Sequence, residues 1–364
     1  YLVKINSGIQ FVLKITHVPH KYINTNHSAL AEYGFYTIMK RLISHNITPH
    51  VFRGVAKLDT FETKKLININ QHINKLLNKE NVFVMLTETN MNPRSNIYNF
   101  YRIFSFIDKT NKSTLEKIIY NLFFEMMYTL VAFKKLKFKH NDLHMANIMI
   151  IFNKKNIYQN TLDDVTRNLR REYEYEHDGK KVNVLLPNTG VSARIFDFDR
   201  SCLISNKGEI KADNLIKEFS SFYQDCNDNF YRDTYKFICG FYDYIQHEKK
   251  YVSKEINEAY DSITNFIESC FYQQSLLLEG KVTDKDGNDI IIDKSFTQIG
   301  VRRYYYVAQP IDEYMKSPEE ILFELSQMFP HKINDKFAPG SEKPKTVPFQ
   351  KFSLLKMKEH DLIP

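Results

Sequence analysis

Eight residues, His140-Asn141-Asp142-Leu143-His144-Met145-Ala146-Asn147, sit between two apolar segments that leave them little freedom. Upstream, residues 113–136 place Leu115, Ile118, Leu122, Met126, Leu130 and Phe133 at steps of three and four, the stripe of one helix. Ser113 and Glu116 have the pattern of a capping box at its start. That helix is apolar on much of its circumference, so it belongs in a core. Downstream, Ile148-Met149-Ile150-Ile151-Phe152 reads as a buried strand. A loop of the form H-x-D-x-x-x-x-N is therefore pinned at both ends. On its own it could be a polar turn with Asp142 and Asn147 as turn residues. A second element argues otherwise: Ile195-Phe196-Asp197-Phe198-Asp199 is another short apolar strand that ends in an acid.

These residue types suit one chemistry. A carboxylate within hydrogen-bond reach of a hydroxyl can accept its proton. An amide five positions later can turn back beneath that carboxylate towards a metal. Hard Mg²⁺ prefers oxygen ligands, and carboxylates plus phosphates supply them. The H-x-D-x-x-x-x-N loop and the D-F-D step resemble the catalytic and metal-binding loops of the protein-kinase-like superfamily. The resemblance implies an α+β fold of two lobes. A small β-rich N-lobe would span residues 1–86, lacking its first strand, and a larger, mainly helical C-lobe residues 87–330. Residues 331–364, with several prolines, would form an extended tail. It also implies ATP and Mg²⁺ as cofactors, with Asp142 as the base and Asn147 and Asp197 on the metal.

Other segments fit this reading in order. Residues 1–5 and 10–15 read as a hairpin around the turn Asn6-Ser7-Gly8. Phe11-Val12-Leu13-Lys14 resembles the family's third strand, which makes Lys14 the amine on the ATP phosphates; an ordinary strand lysine is the plain alternative. Residues 28–43 have helical periodicity, and Glu32 resembles the glutamate that steers that lysine. Residues 57–81 read as an insertion. Residues 82–86 form a short strand leading into a hinge at Thr87-Glu88-Thr89, with Met85 at the back of the nucleotide pocket and Glu88 beside the adenine. Residues 154–190 read as a surface insertion. Asp199 stands where the family has glycine, and Asp tolerates a left-handed turn better than most residues. Asp233 resembles a buried aspartate that holds the catalytic-loop backbone; a helix N-cap is the alternative. No A-P-E follows, and no Gly-rich phosphate loop is present after Tyr1. Residues 255–278 read as one helix, residues 282–290 as a hairpin, and Ser317-Pro318 as the start of a last helix.

Composition sets wider bounds. With 364 residues, 43% hydrophobic and 26% charged, the chain is of globular type. The net charge of +7 comes from scattered lysines, so it suits anionic partners such as ATP better than nucleic acid. The four cysteines form no C-x-x-C pair and read as free thiols of a cytoplasmic protein. No stretch reaches the roughly 20 apolar residues of a membrane span, and no leader pattern opens the chain. The acceptor stays open. D-L-H-x-x-N resembles aminoglycoside and choline kinases, and the D-F-D-R-S run resembles divergent kinases of large DNA viruses. The leading expectation is a divergent Ser/Thr protein kinase. A small-molecule kinase and a non-catalytic pseudokinase are the alternatives.

Overall fold

A computed structural model describes residues 2–4, 10–17, 28–58, 82–90, 95–102, 112–153, 171–186, 189–205, 208–211, 230–293, 311–328 and 350–363. Helices alternate with small, mostly antiparallel sheets, an α+β arrangement. No helix among the described residues is long and apolar enough to cross a membrane.

The first sheet contains β1 (Leu2–Lys4), β2 (Gln10–His17), β3 (Gly54–Leu58) and β4 (Val82–Asn90), in the order β1-β2-β4-β3. The expected pairing of the first two strands is present, with Val3 opposite Phe11; the turn Asn6-Ser7-Gly8 lies outside the described residues. The helix α1 (Ser28–Ser44) packs beside this sheet, burying Phe35, Met39 and Leu42 at helical spacing. Gly54 allows β3 to come close to α1, since a Cβ there would stand 3.1 Å from the Cβ of Tyr36. The expected hinge does not fall at residues 87–89. Residues 87–89 remain strand, because β2 pairs with β4 as far as Gln10 opposite Asn90. Lys57 and Leu58, placed in the insertion by sequence, belong to β3; residues 59–81 lie outside the described residues.

The second part is built on α2 (Lys112–Lys135), which starts one residue before Ser113 and so takes Ser113 into its first turn. Leu115, Ile118, Leu122, Met126, Leu130 and Phe133 are all buried, as the periodicity predicts, and so is Phe123. Around it lie β5 (Ser95–Asn99), β6 (Phe138–Lys139), β7 (Ile148–Asn153), β8 (Arg171–His177), β9 (Lys180–Leu186), β10 (Val191–Ile195), β11 (Cys202–Ser205) and β12 (Gly208–Lys211). They form sheets ordered β10-β7-β5 and β12-β11-β6, while β8 and β9 make a hairpin. Beyond them come α3 (Arg232–Glu248), α4 (Lys254–Ser269), α5 (Gln274–Glu279), the hairpin β13 (Lys281–Thr283) and β14 (Asp289–Ile291), and α6 (Pro318–Met328). Ser317 caps α6 as expected: its hydroxyl accepts from the Glu320 N–H, and the Glu320 carboxylate accepts from the Ser317 N–H.

Four expectations change. The single helix over 255–278 is broken after Ser269. There the Tyr272 N–H donates to Tyr314 O and the Lys316 N–H to Cys270 O, so pairing with a distant segment replaces the helical bonds. The surface insertion is not all surface. Tyr173 and Tyr175 of β8 are buried, and the Tyr173 ring meets Tyr128 of α2 at 4.9 Å. Strand alternation turns these tyrosines inward and leaves Glu172 and Glu176 on the other face. The tail is not simply extended. Its residues Gln350–Ser353 form β15, parallel to β8, with Phe352 buried against Tyr173. Finally, Cys239 and Cys270 are free and buried, whereas Cys202 is disulfide-bonded, with a partner outside the described residues.

Candidate active site

The strand register determines what meets what. β7 and β10 run antiparallel with Ile148 opposite Ile195. Asn147 immediately precedes β7, and Phe196-Asp197 immediately follow β10. Both therefore emerge at the same end of the sheet, where the Phe196 N–H donates to Asn147 O at 3.1 Å. The Asn147 side-chain NH₂ donates to Asp142 O at 2.9 Å, which closes the loop on itself and leaves the amide oxygen available to a cation. The loop is held from within as well. His144 Nδ1 accepts from the Ala146 N–H, and His140 Nε2 bonds Phe196 O at 2.8 Å. Residues far apart in sequence are thus tied into one unit.

Opposite this unit lies Lys14 on β2. Its Nζ donates to both carboxylate oxygens of Glu32, at 2.9 and 3.0 Å, and to Asp197 Oδ1 at 3.0 Å. One ammonium thus bridges the first sheet, α1 and the end of β10. Burial acts to lower the Lys14 pKa, but the charges of Glu32 and Asp197 prevail and raise it above its ordinary value. Burial pushes the Glu32 carboxyl up to about 7, with Lys14 opposing. The two-oxygen contact favours the ion pair.

Asp197 has φ of 65°, in the left-handed region. The expectation placed that turn at Asp199; it falls at Asp197, which tolerates it for the same chemical reason. The Asp197 N–H donates to the hydroxyl of Tyr36, one turn along α1 from Glu32, at 3.0 Å. The Tyr36 ring meets Phe198 edge-on at 4.9 Å, and Phe198 also packs on Phe133, Phe138 and His140. The expected packing of Phe198 on the helix that carries Glu32 is therefore present. Tyr36 was missed by sequence, although a position four residues past Glu32 faces the same way on a helix.

Asp142 has 18% of its side chain exposed. Arg200 Nη1 lies 3.4 Å from its Oδ2, His144 Nε2 3.8 Å from the same oxygen, and Lys236 Nζ 3.9 Å from Oδ1. Asp233, left open between cap and loop support, does the latter: its Oδ2 accepts from the His140 N–H at 2.6 Å, while α3 has Tyr231 at its N-cap. Asn141 sits at φ 63° and donates to Arg200 O and Cys202 Sγ.

A cleft of about 560 Å³ has Lys14, Glu32 and Asp197 at its polar end and Leu13, Met85, Met149 and Phe196 along its apolar walls. Met85 stands there as expected. Glu88 lies on β4, and its side chain falls outside the described residues. The described residues contain no cluster of three or more His, Cys, Asp or Glu side chains arranged for a metal. The donors on hand are instead one carboxylate and one amide, a set that a small hard cation completes with water or phosphate oxygens. No protein-family model matches this chain, and no curated protein matches its sequence.

Proposed function

We propose that the chain is an ATP-dependent phosphotransferase with a two-lobed, protein-kinase-like fold, and that its acceptor is a hydroxyl, with a divergent Ser/Thr protein kinase as the leading case. One observation carries the reading: the Lys14 ammonium is held by Glu32 on one side and Asp197 on the other at the polar end of a cleft, and Asp197 follows the strand paired with the one that Asn147 precedes. An ion pair serving stability alone has no need of a left-handed backbone at Asp197 or of a nucleotide-sized void beside it.

In this reading the apolar walls take the adenine and Lys14 binds the α- and β-phosphates. Asn147 and Asp197 hold Mg²⁺, which neutralises charge on the phosphates when bound. Asp142 orients the acceptor hydroxyl and takes its proton. Positioning and charge supply the acceleration. His144 occupies the place where protein kinases carry lysine, and this favours a small-molecule acceptor as the second reading.

The test is Mg-ATP binding followed by turnover. Thermal stabilisation by Mg-ATP, lost in Asp197→Ala, together with phosphate transfer lost in Asp142→Ala, is expected. Binding with no turnover in the full chain, across both protein and small-molecule hydroxyl acceptors, would leave a pseudokinase. No binding would end the proposal.

A further inference from the structure

Lys236 has no part in the reading above. It lies on α3 with a side chain only 5% exposed. A buried ammonium is costly unless its charge is met, and an apolar side chain would fill the same space without that cost. Two groups meet it. Its Nζ donates to Asn141 O at 2.8 Å and lies 3.9 Å from Asp142 Oδ1.

Asp233 stands three residues earlier on the same helix face. It takes the N–H of His140, and Lys236 takes the C=O of Asn141. A carboxylate and an ammonium thus grip a donor and an acceptor in successive residues just before Asp142. Asn141 lies at φ 63°, so its carbonyl is presented from a backbone turn that few residues adopt. Without Lys236 this buried carbonyl would have no cation opposite it, and Asp142 would keep only Arg200 and His144, both on Oδ2.

We infer that Lys236 is a positioning residue for the proposed phosphotransfer: it sets the left-handed turn at Asn141 and places its charge beside Asp142 Oδ1, opposite the oxygen that Arg200 and His144 approach, so that the carboxylate is fixed from both sides. The inference rests on the proposed function for its kinetic consequence, not for its geometry. Burial and the neighbouring Arg232 draw the Lys236 pKa down, opposed by Asp142 and Asp233, to about 8. Arg200 also faces it from the segment after β10.

Two measurements test it. In the full chain, the ¹⁵Nζ resonance of Lys236 is titrated in wild type and in Asp142→Asn. Removing the carboxylate charge is expected to lower the Lys236 pKa. An unchanged titration shows that the two groups do not interact and overturns the inference, whether or not the chain turns over ATP. The second compares Lys236→Met with Lys236→Arg. Lys236→Met is expected to lower kcat by about 100-fold, the scale of a misplaced catalytic group. KM for Mg-ATP should stay within about two-fold, and Lys236→Arg should recover most of the loss. Loss of Mg-ATP binding together with kcat, or no recovery by arginine, indicates a packing role and also overturns it. Should Lys236→Met not fold, Lys236→Gln keeps a donor for Asn141 O without the charge and is read the same way. A wild type without turnover, but with the coupled titration intact, sinks the proposed function and leaves the Asp142–Lys236 contact standing.

Discussion

Two clusters of acid, base and hydroxyl lie close together in this molecule and are built on opposite principles. In the candidate site, Lys14, Asp197 and Asp142 keep 36%, 35% and 18% of their side chains exposed. Behind β10, His50 and Glu125 keep 0% and 2%. There, His50 bonds Tyr173 OH at 2.7 Å and Ala193 O at 3.1 Å. Glu125 takes Arg171 at 2.7 Å, the Ser192 hydroxyl at 3.2 Å and the Ala193 N–H at 3.1 Å. By residue type the second set, with Ser192, His50 and Glu125, looks as reactive as the first. His50 and Glu125 are engaged wholly within the fold, so neither is left to meet a substrate. The lesson is that a functional polar cluster is recognised by its open side, not by its composition. The closed cluster still bears on the site, because it anchors β8 to the strand that delivers Asp197.

The largest expected effect separates the two at once. Asp142→Ala should lower phosphate transfer by about 10²–10⁴-fold, the range for a general base, while the melting temperature of the full chain falls less than in Glu125→Ala, because Asn141 O still meets Lys236. Equal losses of activity and stability would erase the contrast. Next, Glu125→Ala leaves Arg171 and the Ala193 N–H without their partner. It should cost about 3–5 kcal/mol in denaturant unfolding, as for a broken buried ion pair. A change within about 0.5 kcal/mol would mean that the closed cluster carries little structural weight.

Lys14→Met comes third. If the proposed function holds, it should raise KM for Mg-ATP and lower kcat; thermal stability should fall as well, because Glu32 is left buried without its cation. His50 supplies a fourth, set by pH. Burial, with Arg171 and Arg194 nearby, holds its pKa well below 6.5 in the fold. The unfolded chain takes up this proton below pH 6.5 and the folded chain does not, so stability falls as pH drops through that value. His50→Gln should flatten this part of the profile. Glu174 behaves differently. Burial raises its pKa, but hydrogen bonds from Lys181, Ser353 and Lys351 outweigh that and bring it down to about 2. Its contribution is complete above 4.5 and is lost as pH falls towards 2, so acid should loosen β15 only after His50 has acted. The smallest effect belongs to Lys351→Ala, which removes the half-exposed lysine from Glu172 and Glu174 while Lys181 and Ser353 still meet Glu174. It should cost under about 1 kcal/mol.

Much of the candidate site could be read in advance because its parts are local. Asp142 and Asn147 share one short loop, and Lys14 and Glu32 each sit in a segment whose periodicity is plain. The residues around them were harder to see. Lys236 and Tyr36 carry no motif of their own, and each acquires meaning only when its helix is laid against the loop it touches. The alternation of Tyr173 and Tyr175 was present in the chain, but the surrounding charges Arg171, Glu172, Glu174 and Glu176 masked it as surface. Arg171 pairs with Glu125 of α2 and Glu174 with Lys351 of β15, across the fold, which no local pattern announces.

Taken alone, the order of residues determined the α+β class, the core helix α2 and the loop that follows it, because helix and strand periods are written in neighbouring positions. Three dimensions decided the rest: the break after Ser269, the docking of β15 on β8, the disulfide at Cys202 and the left-handed turn at Asp197 rather than Asp199. Each of these is settled by a partner distant in the chain, and the energy of such a contact exists only once folding has brought the two sides together.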